Sequence, residues 1–253
     1  MIIAVMQPYF FPYIAYWQLY YCVDKWVILD EVQFRKFSWM RRNRILHDDR
    51  NKETRYINLP VRKHGQKIRI NEVQVNNDAP WREEIRNRLR AYQRLKARHY
   101  PQVSEMLDKM LDKTNADLIE VMTNTFRAMN DYLGMETEYL LSSDVEFDRR
   151  DVTAPDEWSL RIAAALGADT YINLPGGKDL YQGDKYRSNG VELLFLKPAF
   201  REYPQADGLF IPGLSILDVL MFNSVEAIRD MLKSDYRLLP ADAVVCNAGG
   251  PAI

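Results

Sequence analysis

The chain has 253 residues, 47% of them hydrophobic and 27% charged, with 34 Lys and Arg against 35 Asp and Glu. That length buries a substantial core as one large domain or two small ones, and the balance is that of a soluble globular chain rather than a fibrous or disordered one. Two distant cysteines, Cys22 and Cys246, and three scattered histidines, His47, His64 and His99, speak against a disulfide framework and give a zinc hydrolase no ligand set, so no metal is expected and a reducing cytoplasm is the simplest setting.

The chain opens on MIIAVMQPYFFPYIAYW. Ile2 to Met6 reads as a buried strand stopping at Gln7-Pro8. It has neither the basic start nor the small-residue end of a secretory signal, and it is too short and broken to cross a membrane. Pro12 to Asp24 reads as a helix with Pro12 in its first turn. Trp26 to Asp30 (WVILD) reads as a second strand ending on a carboxylate, so the start predicts a right-handed β-α-β unit. QFRKFSWMRRNRI is basic and aromatic without clean periodicity, which predicts a loop or hairpin. Tyr56 to Val61 reads as a third strand and Ile68 to Val75 as an edge strand.

From Arg35 to Arg98 there are 19 Lys and Arg but only 7 Asp and Glu, although the whole chain carries a formal charge of −1. Such a block either meets phosphate or forms ordinary solvated faces. Asp78-Ala-Pro-Trp reads as a helix start with Asp78 as N-cap, followed by a stripe of Trp81, Ile85, Leu89, Tyr92 and Leu95. Two further helices carry Val103, Met106, Leu107, Met110 and Leu111, then Leu118, Met122, Phe126, Met129 and Leu133, the last closed by Gly134.

The second half returns to alternating elements: strands at Tyr139–Ser142, Tyr171–Leu174 and Val191–Leu196, and helices at Pro155–Leu166, Leu214–Phe222 and Val225–Leu232. The fold class expected is α/β, a mostly parallel open sheet, Rossmann-like or HUP-like. Residues 1–78 and 136–235 form that domain, 79–135 a helical insertion, and 236–253 a tail with little pattern.

One repetition stands out. Tyr56-Ile-Asn-Leu-Pro recurs as Tyr171-Ile-Asn-Leu-Pro, each placing an Asn just before a strand-stopping Pro. Ligands of open α/β sheets sit outside the carboxyl ends of the strands, so Gln7, Asp30, Asn58 and Asn173 are expected along one edge. Amides there read hydroxyls and base or sugar edges, or simply cap loops. After Asn173, Gly176-Gly177-Lys178 lets the backbone approach a ligand and offers N–H groups and a cation to phosphate, or serves only as a tight turn.

Together QPYFFPYIAYW, VILDEVQF with WMRRNRI, YINLPGGKDLY, EYPQ and LSILDVLMFN resemble the WbqC-like family, over nearly the whole chain to about residue 230. Members occur with bacterial O-antigen and other surface-polysaccharide genes, so the resemblance implies a cytoplasmic step on a nucleotide-linked sugar. The matching positions are Gln7, Pro12, Tyr16, Asp30, Gln33, Arg42, Asn43, Asn173, Gly176, Gly177, Lys178, Tyr181, Tyr203, Gln205, Ser215 and Asp218. Tyr16 and Trp17 wall the pocket or pack beneath it, and helical spacing puts Trp17 in the core.

Three functions are expected to compete. The first is an enzyme that transfers an acyl or aminoacyl group to the amine of a nucleoside-diphosphate amino sugar. In it Asp30 or Asp218 is the base, Gly176-Gly177 or the amides of Gln7 and Asn173 stabilise the oxyanion, and Arg42, Arg44 and Lys178 hold the diphosphate. The donor is a coenzyme A thioester or an aminoacyl-tRNA, the latter meeting the basic stretch 35–98. The second is nucleotidyl transfer or ATP-dependent adenylation on a HIGH-like fold, although Phe10, Phe11 and Pro12 stand where that motif has histidines. The third is a scaffold that binds the sugar nucleotide without turning it over.

Overall fold

In the computed structural model, residues 1–36, 38–49, 52–111, 117–206, 208 and 210–243 are described. Ten of the tail residues assigned above, 244–253, and Cys246 among them, lie outside the described residues.

β1 (Ile2–Met6) leads into α1 (Ile14–Cys22) and β2 (Lys25–Ile28). A hairpin of β3 (Arg42–Leu46) and β4 (Thr54–Asn58) follows, then α2 (Trp81–Arg94), α3 (Tyr100–Leu111) and α4 (Leu118–Leu133). β5 (Glu138–Leu141), α5 (Glu157–Leu166), β6 (Thr170–Asn173), α6 (Gly183–Ser188), β7 (Glu192–Pro198), α7 (Ile216–Phe222), α8 (Val225–Ser234) and β8 (Tyr236–Pro240) complete the order. The main sheet runs β5-β2-β1-β6-β7-β8, all neighbours parallel except the β7–β8 pair. This is the mixed α/β, mostly parallel open sheet the sequence predicts.

Period-two alternation sorts the strand side chains onto two covered faces. Ala4, Trp26, Ile28 and Ile172 join the core shared with α1, α2, α3, α4, α7 and α8. Ile3, Val5, Val27, Tyr171, Leu193 and Phe195 face the other way, against Leu160, Ile162 and Ala163 of α5 and Tyr186 of α6. α1 is apolar or aromatic on every face apart from Gln18, and every residue from Ile14 to Tyr20 is buried. It can be so only because helices and sheet enclose it. Tyr16, Trp17, Tyr20, Trp26 and Phe126 meet edge-on and tilted around it, and Trp17 is core as expected. The buried polar residue of α1, Gln18, donates from Nε2 to the carbonyls of Met231 and Asp235.

Several local expectations are corrected. Pro12 precedes the first helical residue by two, and Tyr13 is the extended N-cap of α1. α2 starts at Trp81 after Pro80, without a side-chain cap; Asp78 instead pairs with Arg62 at 3.3 Å. The residues read as an edge strand at 68–75 form a 3-10 turn, Ile70–Glu72, flanked by isolated bridges. The run at 56–61 shortens to β4 and pairs antiparallel with β3, outside the main sheet. Tyr236–Pro240, given no pattern in the sequence, adds an antiparallel edge strand to β7. Gly134 and Gly167 end α4 and α5 at φ 58 and φ 68, the left-handed turn a side chain disfavours.

Candidate functional site

Parallel strands leave their carboxyl ends on one edge, and loops must turn back from there to helices. A cavity of about 990 Å³ opens at the ends of β1, β2 and β6, lined by residues 5–9, 29–40 in part, 152–158 in part and 173–181 in part. Gln7, Tyr16, Gln33, Asn173, Gly176, Gly177 and Tyr181 all contribute to it. So do Tyr9, Tyr13, Arg35, Lys36, Trp39 and Trp158, which the sequence does not single out. Tyr9 and Tyr13 flank the prolines of the first turn, and Arg35 and Lys36 follow Gln33, so these four carried a positional signal. Trp158 did not, because its spacing on α5 is that of a core residue.

The turn between β1 and α1 is built under strain. Phe11 sits at φ 43 without being glycine, a conformation that costs on the order of 1 kcal/mol. Its carbonyl accepts bonds from Asn43 Nδ2 and from Ser215 Oγ at 2.8 Å. Asn43 also accepts from the Arg44 N–H at 2.7 Å, and Ser215 caps α7. Both side chains are buried and neither lines the cavity, so they hold the turn that carries Gln7, Tyr9 and Tyr13. Tyr16 does both jobs of its expectation: it lines the cavity, and its buried hydroxyl donates to the Gln7 carbonyl at 2.9 Å.

At the end of β6, Asn173 donates to the Tyr171 hydroxyl at 2.8 Å and the Tyr181 hydroxyl at 2.7 Å, while its oxygen accepts from the Leu174 N–H. Tyr171 O–H donates to the Val5 carbonyl. The Tyr181 O–H, 3.2 Å from the Tyr171 oxygen, can donate to it or turn toward a ligand. A side chain at position 177 would press on the Tyr181 ring, at 3.2 Å from its edge. The glycine turn 175–180 is a short 3-10 helix; Lys178 lies in it but off the cavity lining.

Among the described residues the lining contains no carboxylate, imidazole or thiol. Burial pushes the phenol of Tyr13 up to about 12, and also raises those of Tyr9 and Tyr181, so all three stay protonated and donate. With Arg35 and Lys36 the cavity therefore presents cations, O–H and amide donors and aromatic faces. Chemically, that combination suits an anion attached to a flat ring.

The two expected bases lie elsewhere. Asp30 is fully buried and accepts from Ser142 Oγ at 2.6 Å, Ser143 N–H at 3.0 Å, Ser143 Oγ at 2.8 Å and Asn71 Nδ2 at 3.2 Å. It ties the end of β2 to the turn after β5. Asp218 on α7 is equally buried and accepts from Tyr92 at 2.8 Å, Tyr203 at 2.6 Å and Gln205 at 2.7 Å. Desolvation pushes its carboxyl up to about 6 against those three donors. Tyr203 and Gln205 thus serve Asp218, and Gln205 also clamps both backbone groups of Ile211. Asn58 lies on β4 opposite Arg42, not on the parallel edge. Arg42 and Arg44 stand on the outer side of the hairpin against Trp39, also off the lining.

The WbqC-like protein family model matches residues 7–230, from the glutamine that ends β1 to the middle of α8. The chain belongs to the WbqC-like protein family. The match takes in the whole cavity lining beyond β1 and both buried carboxylate networks. An uncharacterized protein of Mycobacterium tuberculosis is 25% identical over 232 residues, covering 89% of this chain and 95% of that one. No solved structure matches the chain. Among the described residues, no helix is long and apolar enough to cross a membrane.

Proposed function

We propose that the protein is a cytoplasmic transferase of surface-polysaccharide (O-antigen) synthesis that holds a nucleotide-linked amino sugar in this cavity and receives an acyl or aminoacyl group on the sugar amine. The observation that carries the reading is the lining itself: cations, protonated phenols and aromatic rings at the carboxyl edge of a parallel sheet, with no acid among the described residues of the lining. Trp39, Trp158 and the tyrosines suit the base, Arg35 and Lys36 the diphosphate, and Gln7, Asn173 and Tyr181 the sugar hydroxyls.

In the transfer, the neutral amine attacks the donor carbonyl, a C–N bond forms, and the C–S bond of a coenzyme A thioester, or the C–O bond of an aminoacyl ester, breaks. The electron pair leaves on sulfur or oxygen, which takes up the proton the amine loses. Tyr181 O–H and the Gly176 N–H are the lining donors this reading assigns to the carbonyl oxygen that gains charge, the Gly177 N–H being taken by the Leu174 carbonyl at 3.2 Å. This reading gives Asp30 and Asp218 no part as bases: neither lines the cavity, and their oxygens accept from protein donors. The rate is then expected to rise with pH along the substrate's own amine titration, without an enzyme limb.

Thermal shift with nucleoside-diphosphate amino sugars, free nucleotides, ATP with magnesium, coenzyme A and tRNA tests the binding half. An occupied site at a hundred times its dissociation constant adds about 2.7 kcal/mol of stability. Mass spectrometry of the sugar nucleotide after incubation with an acyl donor tests the chemistry. That the described residues of the lining include no base favours a second reading, a protein that binds the sugar nucleotide without converting it. A clear shift with no product from any donor class decides for that one, and a shift with ATP alone moves the reading to adenylation.

A further inference from the structure

Within the basic stretch Asp48 takes Arg55 at 2.9 Å and also Arg94, and Arg86 pairs with Asp108 at 2.7 Å. The outer face of the β3–β4 hairpin sets its arginines against aromatic rings. Arg42 and Arg44 project from alternate residues of β3 to the side opposite the buried Asn43 and Ile45. The Arg42 guanidinium stands 5.5 Å from the Trp39 ring and 5.1 Å from Tyr56, and Arg44 stands 5.8 Å from Trp39. Trp39 and Tyr56 lie 6.2 Å apart, and Tyr56 is 39% exposed. Cations crowd here: the charge of Arg42, after burial, lowers the pKa of neighbouring Arg41. The Arg44 Nε is buried with no hydrogen-bond partner among the described residues. The row continues inward, because Tyr9 lies 6.0 Å from Trp39 and both line the cavity.

Flat rings and guanidinium planes beside crowded positive charge are what a nucleobase flanked by phosphate stacks on and pairs with. We propose that this hairpin face is a second binding site, which takes the phosphorylated nucleoside end of the group donor and leaves its reactive end to pass Trp39 and Tyr9 into the cavity. The link to a donor rests on the function proposed above; the site itself does not. Both donor classes share this chemistry, a coenzyme through its phosphorylated adenosine and a charged RNA through its single-stranded end.

Fluorescence anisotropy of the full chain tests it with two probes, coenzyme A labelled on its thiol and a short labelled single-stranded RNA. One of them is expected to bind, and the one that does identifies the source. The double variant R42Q/R44Q, and separately Tyr56→Ala at an exposed position, should each weaken that probe about tenfold or more. In the double variant the salt dependence of RNA binding should flatten, by about 0.7 in log–log slope for each phosphate no longer neutralised. Both variants should keep the thermal shift given by an amino-sugar nucleotide. Failure of both probes to bind the unsubstituted chain, or unchanged affinity in both variants, overturns the site. Probe binding that the variants abolish, in a chain no sugar nucleotide stabilises, upholds the hairpin site while removing the function it was linked to.

Discussion

Asp218 lies among Tyr92, Tyr203 and Gln205, shut off from solvent, so its charge costs the folded state energy that three donors only partly return. Its carboxyl, raised from 3.8 to about 6, binds a proton more tightly folded than unfolded. Stability from this group is therefore greatest below pH 4 and falls as pH rises through 6, by about 3 kcal/mol in all. Urea unfolding between pH 4 and 7 should show that fall superimposed on the other carboxylates. In Asp218→Asn the component should vanish; an unchanged difference between the two pH profiles would mean the carboxyl is not perturbed. Tyr181 supports a prediction on chemistry rather than stability. Tyr181→Phe leaves Asn173 its bond to Tyr171 and its backbone partner, so the fold should persist. The proposed transfer should slow about a hundredfold with little change in KM, as when one oxyanion donor is removed. A rise in KM of about tenfold at constant kcat would instead make Tyr181 a simple sugar ligand.

Elements show where tertiary context overrules local pattern. The first β-α-β unit was legible because burial on both faces makes β1 apolar throughout, β2 apolar after Lys25 and α1 apolar but for Gln18. The pair of YINLP stretches was not. Tyr171–Pro175 ends a central parallel strand, whereas Tyr56–Pro60 ends a strand of an outlying hairpin, and Tyr56 is exposed where Tyr171 is buried. Five identical residues cannot encode which sheet they join; their partners at β3 and β7 do. For the site the same limit holds. The strand ends pointed to Gln7 and Asn173, but Asp30 and Asp218 looked like bases because a sequence cannot show that Ser142, Ser143, Tyr92 and Tyr203 consume their oxygens. The strained turn is the element most open to test. Ser215→Ala removes a bond to the Phe11 carbonyl and the cap of α7, and should cost about 1–2 kcal/mol in chemical denaturation. It should also weaken ligand binding in the cavity that Ser215 never touches; unaltered affinity would disconnect the turn from the site.

Across the whole molecule, both faces of the sheet are covered and only its edges differ. β1 and β6 are central, whereas β8 and the β3–β4 hairpin have residues open to water. Amide exchange followed by mass spectrometry should accordingly be slowest in β1 and β6 and faster in β8 and the hairpin. Uniform protection would contradict this gradation. Order of synthesis adds a consequence. α1 leaves the ribosome long before its partners: Gln18 finds its acceptors 213 and 217 positions later, and β1 pairs with β6 at Thr170 and Tyr171. Until then a helix of Ile, Tyr, Trp and Leu has no complete surface to bury against. The nascent chain must carry it exposed, as a client for chaperones, and yield in a foreign host should depend more on growth temperature and chaperone supply than on the stability of the finished fold.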